Sequence, residues 1–212
     1  MELLQLNIPN WSDLAHWVPE GALCLTFLVA LFGDLLMKGK KIWVPFWVTV
    51  TGFLIAALYA MDGLYTRPHA IMGDLVVVDG LAGFYRIIFI LTGLLTVLFA
   101  WTSEEIMGRK RENKGEFFAL TALMTAAMCV MAEARDLLML FLSMEAVGLV
   151  SYVMAGYMRT SLRSTEASLK YVIFGAVSSA IMLYGMSLLY GMTGALTFAG
   201  IREALLAGPV DG

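Results

Sequence analysis

Charged residues, cysteine and histidine are all scarce in this chain of 212 residues. Asp, Glu, Lys and Arg together make up 15% of it, with two cysteines and two histidines. Cys24 and Cys129 lack the CxxC or Cys/His spacing of a metal or cluster site, so we interpret both as buried packing residues. The chain also lacks a glycine-rich phosphate loop and a basic patch interleaved with aromatic residues. Nucleotides and nucleic acids are therefore not expected as ligands.

What the chain has in abundance is apolar sequence. Hydrophobic residues make up 60% of it and its mean hydropathy is +0.80, more than a soluble domain of this length can bury. A membrane-spanning helix needs about 20 mostly apolar residues. Six such runs are present, near residues 17–37, 42–61, 79–101, 117–134, 136–158 and 167–191. The sequence predicts an all-α polytopic membrane protein, with residues 1–212 forming a single membrane domain.

The basic residues crowd every second loop between these runs. Since loops rich in Lys and Arg stay on the cytoplasmic side, both termini are predicted to lie outside. The first fifteen residues contain neither Lys nor Arg, so they are not a secretory signal and the first span is expected to be retained. The nine residues that mark the cytoplasmic side are Lys38, Lys40, Lys41, Arg109, Lys110, Arg111, Lys114, Arg159 and Arg163.

One carboxylate, Glu145, lies in the middle of the fifth run. It is about 14 Å along a helix from Asp136, which places it near the centre of the hydrocarbon layer. A charged group at that depth costs roughly 2.5–3.5 kcal/mol on insertion scales, so ionisable residues there usually move ions or protons. We therefore predict that Glu145 is a proton relay. The small residues Ala146 and Gly148 beside it leave room for a neighbouring helix or a few waters.

Small residues in the sixth run predict where helices approach one another. Gly175 and Ser179 repeat at four-residue spacing, as do Ala176 and Ala180, and this gives the helix a smooth side.

Lys170 is ambiguous, because it enters the sixth run directly after a polar segment. Its long side chain can reach the headgroups, which makes it an interfacial residue. We expect about 15 Å between Lys170 and Glu145 along the membrane normal, too far for a direct salt bridge. A water-mediated link would make Lys170 a second relay residue, and both interpretations stay open here.

Other charged residues near the ends of the runs have structural interpretations. Arg86 is expected to form an ion pair or to anchor the third run at the outer surface. Glu133, Arg135 and Asp136 lie in the tight turn between the fourth and fifth runs, where Asp136 can cap a helix. Asp34 can pair with Lys38, one turn away.

The stretch from residue 134 to 194 resembles subunit N of bacterial NADH:quinone oxidoreductase, the respiratory complex I subunit called NADH dehydrogenase subunit 2 in mitochondria. Its counterpart in the chloroplast NDH complex is also similar. The resemblance is carried by DLLMLFLSME, STEASLKY and SSAIMLYGMSLLYGMTG, and more weakly by VVVDGLAGFYR, residues 76–86.

This resemblance implies an antiporter-like bundle in the membrane arm of a proton-translocating complex, in the inner (plasma) membrane. Its partners would be the other membrane-arm subunits and the lipid bilayer. Glu145 falls on the glutamate of the family's fifth helix, which works with a lysine on the seventh. Lys170 falls on a lysine often present at the start of the sixth, a possible relay residue. NADH, FMN, iron–sulfur clusters and quinone are expected elsewhere in the complex, with no cofactor or redox site in this chain.

Members of the family continue past the point where this chain ends, with further helices that carry the seventh-helix lysine. We therefore expect an amino-terminal fragment or truncated product that is not active alone. A split subunit, completed by a second polypeptide, is the alternative. Two other classes stay open. One is a subunit of a multisubunit cation/proton antiporter or of a membrane-bound hydrogenase, which share the antiporter-like fold. The other is a non-catalytic membrane scaffold, in which Glu145 only holds a partner helix.

Overall fold

The computed structural model describes residues 17–37, 42–64, 69–71, 75–107, 114–158 and 161–208. These residues form helices and one short antiparallel ribbon, in which His69 pairs with Val78 and Ile71 with Val76. The elements in chain order are α1 (Val18–Leu36), α2 (Trp43–Gly63), β1 (His69–Ile71), β2 (Val76–Val78), α3 (Gly80–Thr102), α4 (Glu104–Met107), α5 (Gly115–Ala132), α6 (Leu137–Ala155), α7 (Leu162–Thr193) and α8 (Phe198–Ala207).

The six predicted spans are confirmed as α1, α2, α3, α5, α6 and α7, each long and apolar enough to cross a membrane. The largest difference from prediction is at α7, which begins at Leu162 rather than at residue 167 and runs for 32 residues. Ser161 caps it by accepting a hydrogen bond from the Ser164 N–H, so the polar segment before Lys170 is helical. Gly194 ends α7 with a φ of 66°, in the left-handed region that favours glycine.

Helix α5 is central to the bundle. It packs against α1, α2, α3 and α6, and α1 and α3 each also pack against α2. Helix α7 lies at the edge, packs against α6 and α8, and buries none of its own residues. The bundle is therefore dense from α1 to α5 and open on the side of α7.

Small residues and one aromatic cluster form the core. Alanines lie at the helix contacts, which is how helices approach closely in lipid. The buried alanines include Ala56, Ala60, Ala82, Ala119, Ala122 and Ala126. Trp101 packs on Phe46 at 4.3 Å between ring centroids and on Trp43 at 4.7 Å, and Phe46 meets Phe118 at 5.7 Å.

Backbone hydrogen bonds join several connections at the opposite end of the bundle from this aromatic cluster. This end, where β1 and β2 lie, is called the ribbon end below. Residues 133–137 are bonded on both sides: Val77 N–H donates to the Glu133 carbonyl at 2.9 Å, and Leu137 N–H donates to the Leu196 carbonyl at 3.0 Å. The turn between α5 and α6 is thereby tied to β2 and to the connection between α7 and α8.

The structure bears on three expectations about individual residues. Asp136 caps α6 as predicted, with its Oδ1 accepting from the Met139 N–H at 2.6 Å. Cys129 is buried as predicted, but Cys24 is exposed because it follows Leu23, which faces the core, and so lies on the outer side of α1. Asp34 is buried against the start of α5 and bonds to the Gly115 backbone, whereas Lys38, its predicted partner, lies outside the described residues.

The sequence did not predict β1, β2, α4 or α8. The side of the membrane that each end of the bundle faces, and the assignment of residues 1–212 to one domain, stay predictions.

Candidate functional site

Glu145 occupies the middle of α6, between Leu137 and Ala155, and is half-buried. Its carboxylate points towards α7, where the Ser179 hydroxyl donates a hydrogen bond to Glu145 Oε1. Ser179 is one of the small residues predicted to line a smooth side of that helix, and its neighbour in the same row, Gly175, also faces α6. The small-residue pattern therefore located the helix contact but did not identify the hydroxyl that binds the carboxylate.

Tyr152 extends the polar surface around Glu145 by two helical turns. Its hydroxyl lies between Gly148 of α6 and Gly175 of α7, in space that both glycines leave open, and its ring interacts electrostatically with Glu145. The ring meets Tyr171 edge to face, with centroids 4.7 Å apart. Tyr171 in turn accepts a hydrogen bond from Ser151 at 3.2 Å. Hydroxyl groups thus run from the middle of the contact between α6 and α7 towards the start of α7.

Lys170 lies apart from Glu145. Its ammonium group pairs with Glu166 one turn earlier on α7, and both side chains are exposed, at 65% and 63%. Ser179, which contacts Glu145, is nine residues from Lys170, or about 14 Å along the helix axis. The expected absence of a direct salt bridge between Lys170 and Glu145 agrees with these positions. A relay role for Lys170 stays a prediction.

A second group of charges lies at the ribbon end. Arg86 of α3 makes a two-point contact with Glu20 of α1, through Nε to Oε1 at 2.8 Å and Nη2 to Oε2 at 3.0 Å. Its Nη2 also contacts Oε1 of Glu133, which directly follows α5. The ion pair predicted for Arg86 is confirmed, with Glu20 and Glu133 as partners. Asp79 caps α3 by accepting from the Ala82 N–H.

These three side chains, the Glu20–Arg86–Glu133 cluster, are 2% exposed or less. Burial, and after it the negative charge of Glu20, raise the pKa of Glu133 to about 9. Sequence reasoning missed the role of Glu20, although a glutamate directly after Pro19 in an apolar run was a signal that could have drawn attention to it.

Within the described residues, no group of three or more His, Cys, Asp or Glu side chains is placed to hold a metal ion. The candidate sites described above are the Glu145–Ser179 pair and the Glu20–Arg86–Glu133 cluster.

Known proteins similar to this chain have one architecture in common. Residues 134–210, which contain α6, α7 and α8, match the family described as "NADH:quinone oxidoreductase/Mrp antiporter, TM". NADH-quinone oxidoreductase subunit N of Chlorobium chlorochromatii is 37% identical over 93% of this chain. Residues 134–210 thus carry the domain of this family, and the chain is similar to subunit N. NAD(P)H-quinone oxidoreductase subunit 2 of Gloeothece citriformis is also 37% identical, over 84% of the chain.

Solved structures have the same fold. A chain of respiratory complex I from Thermus thermophilus superposes with a TM-score of 0.68 at 24% identity, covering 90% of this chain and 42% of its own length. A chain of an archaeal membrane-bound sulfane sulfur reductase superposes with a TM-score of 0.71 at 19% identity. The bundle is therefore that of the antiporter-like membrane subunits, and the chain is a multi-pass protein of the inner membrane.

The chain spans about two fifths of the length of the curated relatives it matches: 38% of the Chlorobium protein and 34% of the Gloeothece protein. The matched part includes the Glu145–Ser179 pair.

Proposed function

We propose that this chain is part of a proton-translocating membrane subunit of an NADH:quinone oxidoreductase, and that Glu145 is its proton-carrying group. The observation that supports the proposal best is the position of Glu145 in mid-helix, where its carboxylate accepts a hydrogen bond from a side chain of the next helix. The chain that contains it is 37% identical to subunit N over 93% of the chain's own length. An ionisable group at this depth is usually functional.

The Glu145–Ser179 pair can serve both protonation states of the carboxyl group. A serine hydroxyl is one donor and also an acceptor, and its hydrogen rotates freely. Ser179 therefore donates to Glu145 while the glutamate is ionised, and can accept from it when it is protonated. The proton can come and go without movement of either helix backbone, which suits a group that loads and unloads in each cycle.

The redox cofactors and the partner subunits that the proposal requires belong to the rest of the complex. In our proposal NADH, FMN, the iron–sulfur clusters and quinone bind to other subunits, and the remaining membrane-arm subunits are its partners. The charge partner of Glu145 would be a lysine outside these 212 residues. We also propose that both termini lie on the outer side, which accessibility labelling of single cysteines in the loops would test.

The decisive experiment compares Glu145→Gln with the wild type in membrane vesicles that contain the assembled complex. A pH-sensitive dye measures NADH-driven proton uptake, and quinone reduction is measured separately. We expect assembly to be normal and proton uptake per quinone reduced to fall. Glu203→Gln, an exposed carboxylate of α8, is the matched control and should leave both rates unchanged. Normal uptake in Glu145→Gln would reject the relay and favour the scaffold.

The family match itself supports a second candidate, since its description includes Mrp antiporters. In that case Glu145→Gln would abolish sodium-dependent proton exchange in vesicles without NADH.

Lys170→Met tests the remaining relay residue: a loss of uptake comparable to that of Glu145→Gln would assign Lys170 to the route, and unchanged uptake would leave it as an interfacial residue.

A further inference from the structure

The Glu20–Arg86–Glu133 cluster contains one more acidic group than basic groups. Glu20, Arg86 and Glu133 come from α1, α3 and the end of α5, and their exposures are 2%, 1% and 0%. If both carboxyl groups were ionised, the cluster would carry a net charge of −1 out of contact with water. A buried charge without a partner is strongly unfavourable.

The two carboxyl groups are bound unequally. Glu20 receives both hydrogen bonds of the Arg86 fork, at 2.8 and 3.0 Å, the geometry in which arginine binds an ionised carboxylate best. From Arg86, Glu133 receives a single contact, with Nη2, and neither of its oxygens accepts a hydrogen bond of normal geometry from a described residue. Arg86 therefore neutralises Glu20, and Glu133 is left as a poorly satisfied buried anion.

A proton on Glu133 removes both difficulties. The carboxylic acid is neutral, so the cluster as a whole carries no net charge. It is also a donor, and the carboxylate of Glu20 beside it can accept from it. Two carboxyl groups that share a site usually hold one proton between them.

We propose that Glu20, Arg86 and Glu133 form a proton-binding site that holds one proton at neutral pH, mainly on Glu133. The site locks α1, α3 and α5 together at the ribbon end, and loss of its proton in alkaline solution loosens that contact. This proposal goes beyond the role of Glu145 and does not depend on it.

The surroundings contain no second base to neutralise Glu133 among the described residues that contact it. Among the described residues, Cys24 and Cys129 are titratable groups that the charges of the cluster influence, and both are thiols. Helix α2 approaches Arg86 with Gly63, at which a Cβ would lie 3.5 Å from Nη1. Trp17, before α1, presents a buried indole N–H to Glu133 and lowers the pKa of that group, an influence smaller than burial and Glu20, and this donor cannot accept a proton.

Infrared spectroscopy of the full chain in lipid nanodiscs tests the proposal directly. A protonated carboxyl group gives a carbonyl-stretch band that an ionised one lacks, and labelling glutamate with ¹³C shifts that band. We expect a glutamic acid band at pH 7 that is lost from Glu133→Gln and that disappears from the wild type as the pH is raised through about 9. Glu145→Gln is measured in parallel, so that any band from Glu145 is subtracted.

Two further variants separate a shared proton from an ordinary buried acid. Glu20→Gln removes the surplus carboxylate, so Arg86 then neutralises Glu133 and the Glu133 band should vanish. Arg86→Gln leaves two carboxyl groups without a cation, so the band should grow to about twice its wild-type area, with two protons bound. If Glu133→Gln does not fold, the wild-type titration and the Glu20→Gln spectrum still test whether the cluster holds a proton. A wild type without a titratable band beyond that of Glu145, or a band that survives in Glu20→Gln, would overturn the proposal.

Discussion

The Tyr152 hydroxyl lies in the space that a side chain at Gly175 would fill. A methyl group at residue 175 would overlap the Tyr152 hydroxyl oxygen and approach the ring to 2.5 Å at Cζ. Helices α6 and α7 can approach closely because that methyl group is absent, and Ser179, one turn further along α7, is thereby brought to Glu145.

Gly175→Ala should therefore separate α6 from α7 and weaken the Ser179 contact. Overpacking of this kind typically costs roughly 1–3 kcal/mol. We expect a lower thermal midpoint in detergent and reduced proton uptake in the assembled complex. Gly185→Ala, on the same helix with nothing within 4 Å of its Cβ, is the control and should change neither. Equal behaviour of the two variants would mean that the glycine contact does not position Ser179.

The contact between Gly63 and Gly83 predicts a second steric effect. A Cβ at Gly83 would lie 2.8 Å from the Gly63 carbonyl carbon and 2.9 Å from the Leu64 nitrogen, and backbone atoms cannot rotate away as a side chain can. Gly83→Ala should lower the free energy of unfolding by roughly 1–3 kcal/mol. Gly33→Ala, with open space around its Cβ, should be neutral or slightly stabilising. Thermal unfolding of both variants in one detergent makes the comparison.

Arg86 should be far less tolerant of substitution than an exposed arginine. Removing one partner of a buried ion pair typically costs about 3–5 kcal/mol, because a charge is left without compensation. We expect Arg86→Leu to lower the free energy of unfolding by that amount or to fail to assemble. Arg86→Lys should retain only part of the wild-type stability, because an ammonium group cannot reproduce the two-point contact with Glu20. Arg202→Leu, exposed on α8, should change the free energy of unfolding by less than about 0.5 kcal/mol. Similar losses for Arg86→Leu and Arg202→Leu would contradict the cluster.

The pH dependence of stability follows from the pKa of Glu133, which burial and then Glu20 raise from 4.5 to about 9. Between these values the folded chain binds one more proton than the unfolded chain at this residue. Its contribution to stability is therefore complete below pH about 4.5 and is lost as the pH rises towards 9. The slope from this residue is at most about 1.4 kcal/mol per pH unit.

Denaturant unfolding between pH 6 and 10 measures this effect. We expect the wild type to lose stability across the range and Glu133→Gln to lose less, because an amide does not titrate. Parallel pH curves for the two proteins would show that Glu133 is not the group responsible.

The sequence predicted the spans well because a membrane requires long apolar helices. It drew attention to Glu145 because a carboxylate in such a helix is conspicuous, and the relay role of that residue stays a prediction. It did not predict Ser179 as the hydrogen-bond partner, since that depends on the rotation of α7 about its axis. Nor did it predict the cluster, whose members Glu20 and Arg86 are 66 residues apart. The ribbon was missed because its strands have three residues each, too few for an alternating pattern. The start of α7 was not predicted because its first residues are polar, and the helix begins there at the Ser161 cap.

The backbone bonds at the ribbon end fix the end of α7, and near its start Ser164 and Ser168 donate hydrogen bonds to backbone carbonyls of α6. Leu196 and Phe198, just past Gly194, are bonded to the turn between α5 and α6, whereas no residue along α7 itself is buried. Ser179 is about 22 Å from Gly194 along the helix, so a tilt of only about 5° around that end moves it by about 2 Å. That displacement is enough to break its hydrogen bond to Glu145. A neighbouring subunit that pressed on the exposed side of α7 with enough force to break the bonds of Ser164 and Ser168 would thus control, from a distance, whether the carboxylate keeps its hydroxyl partner.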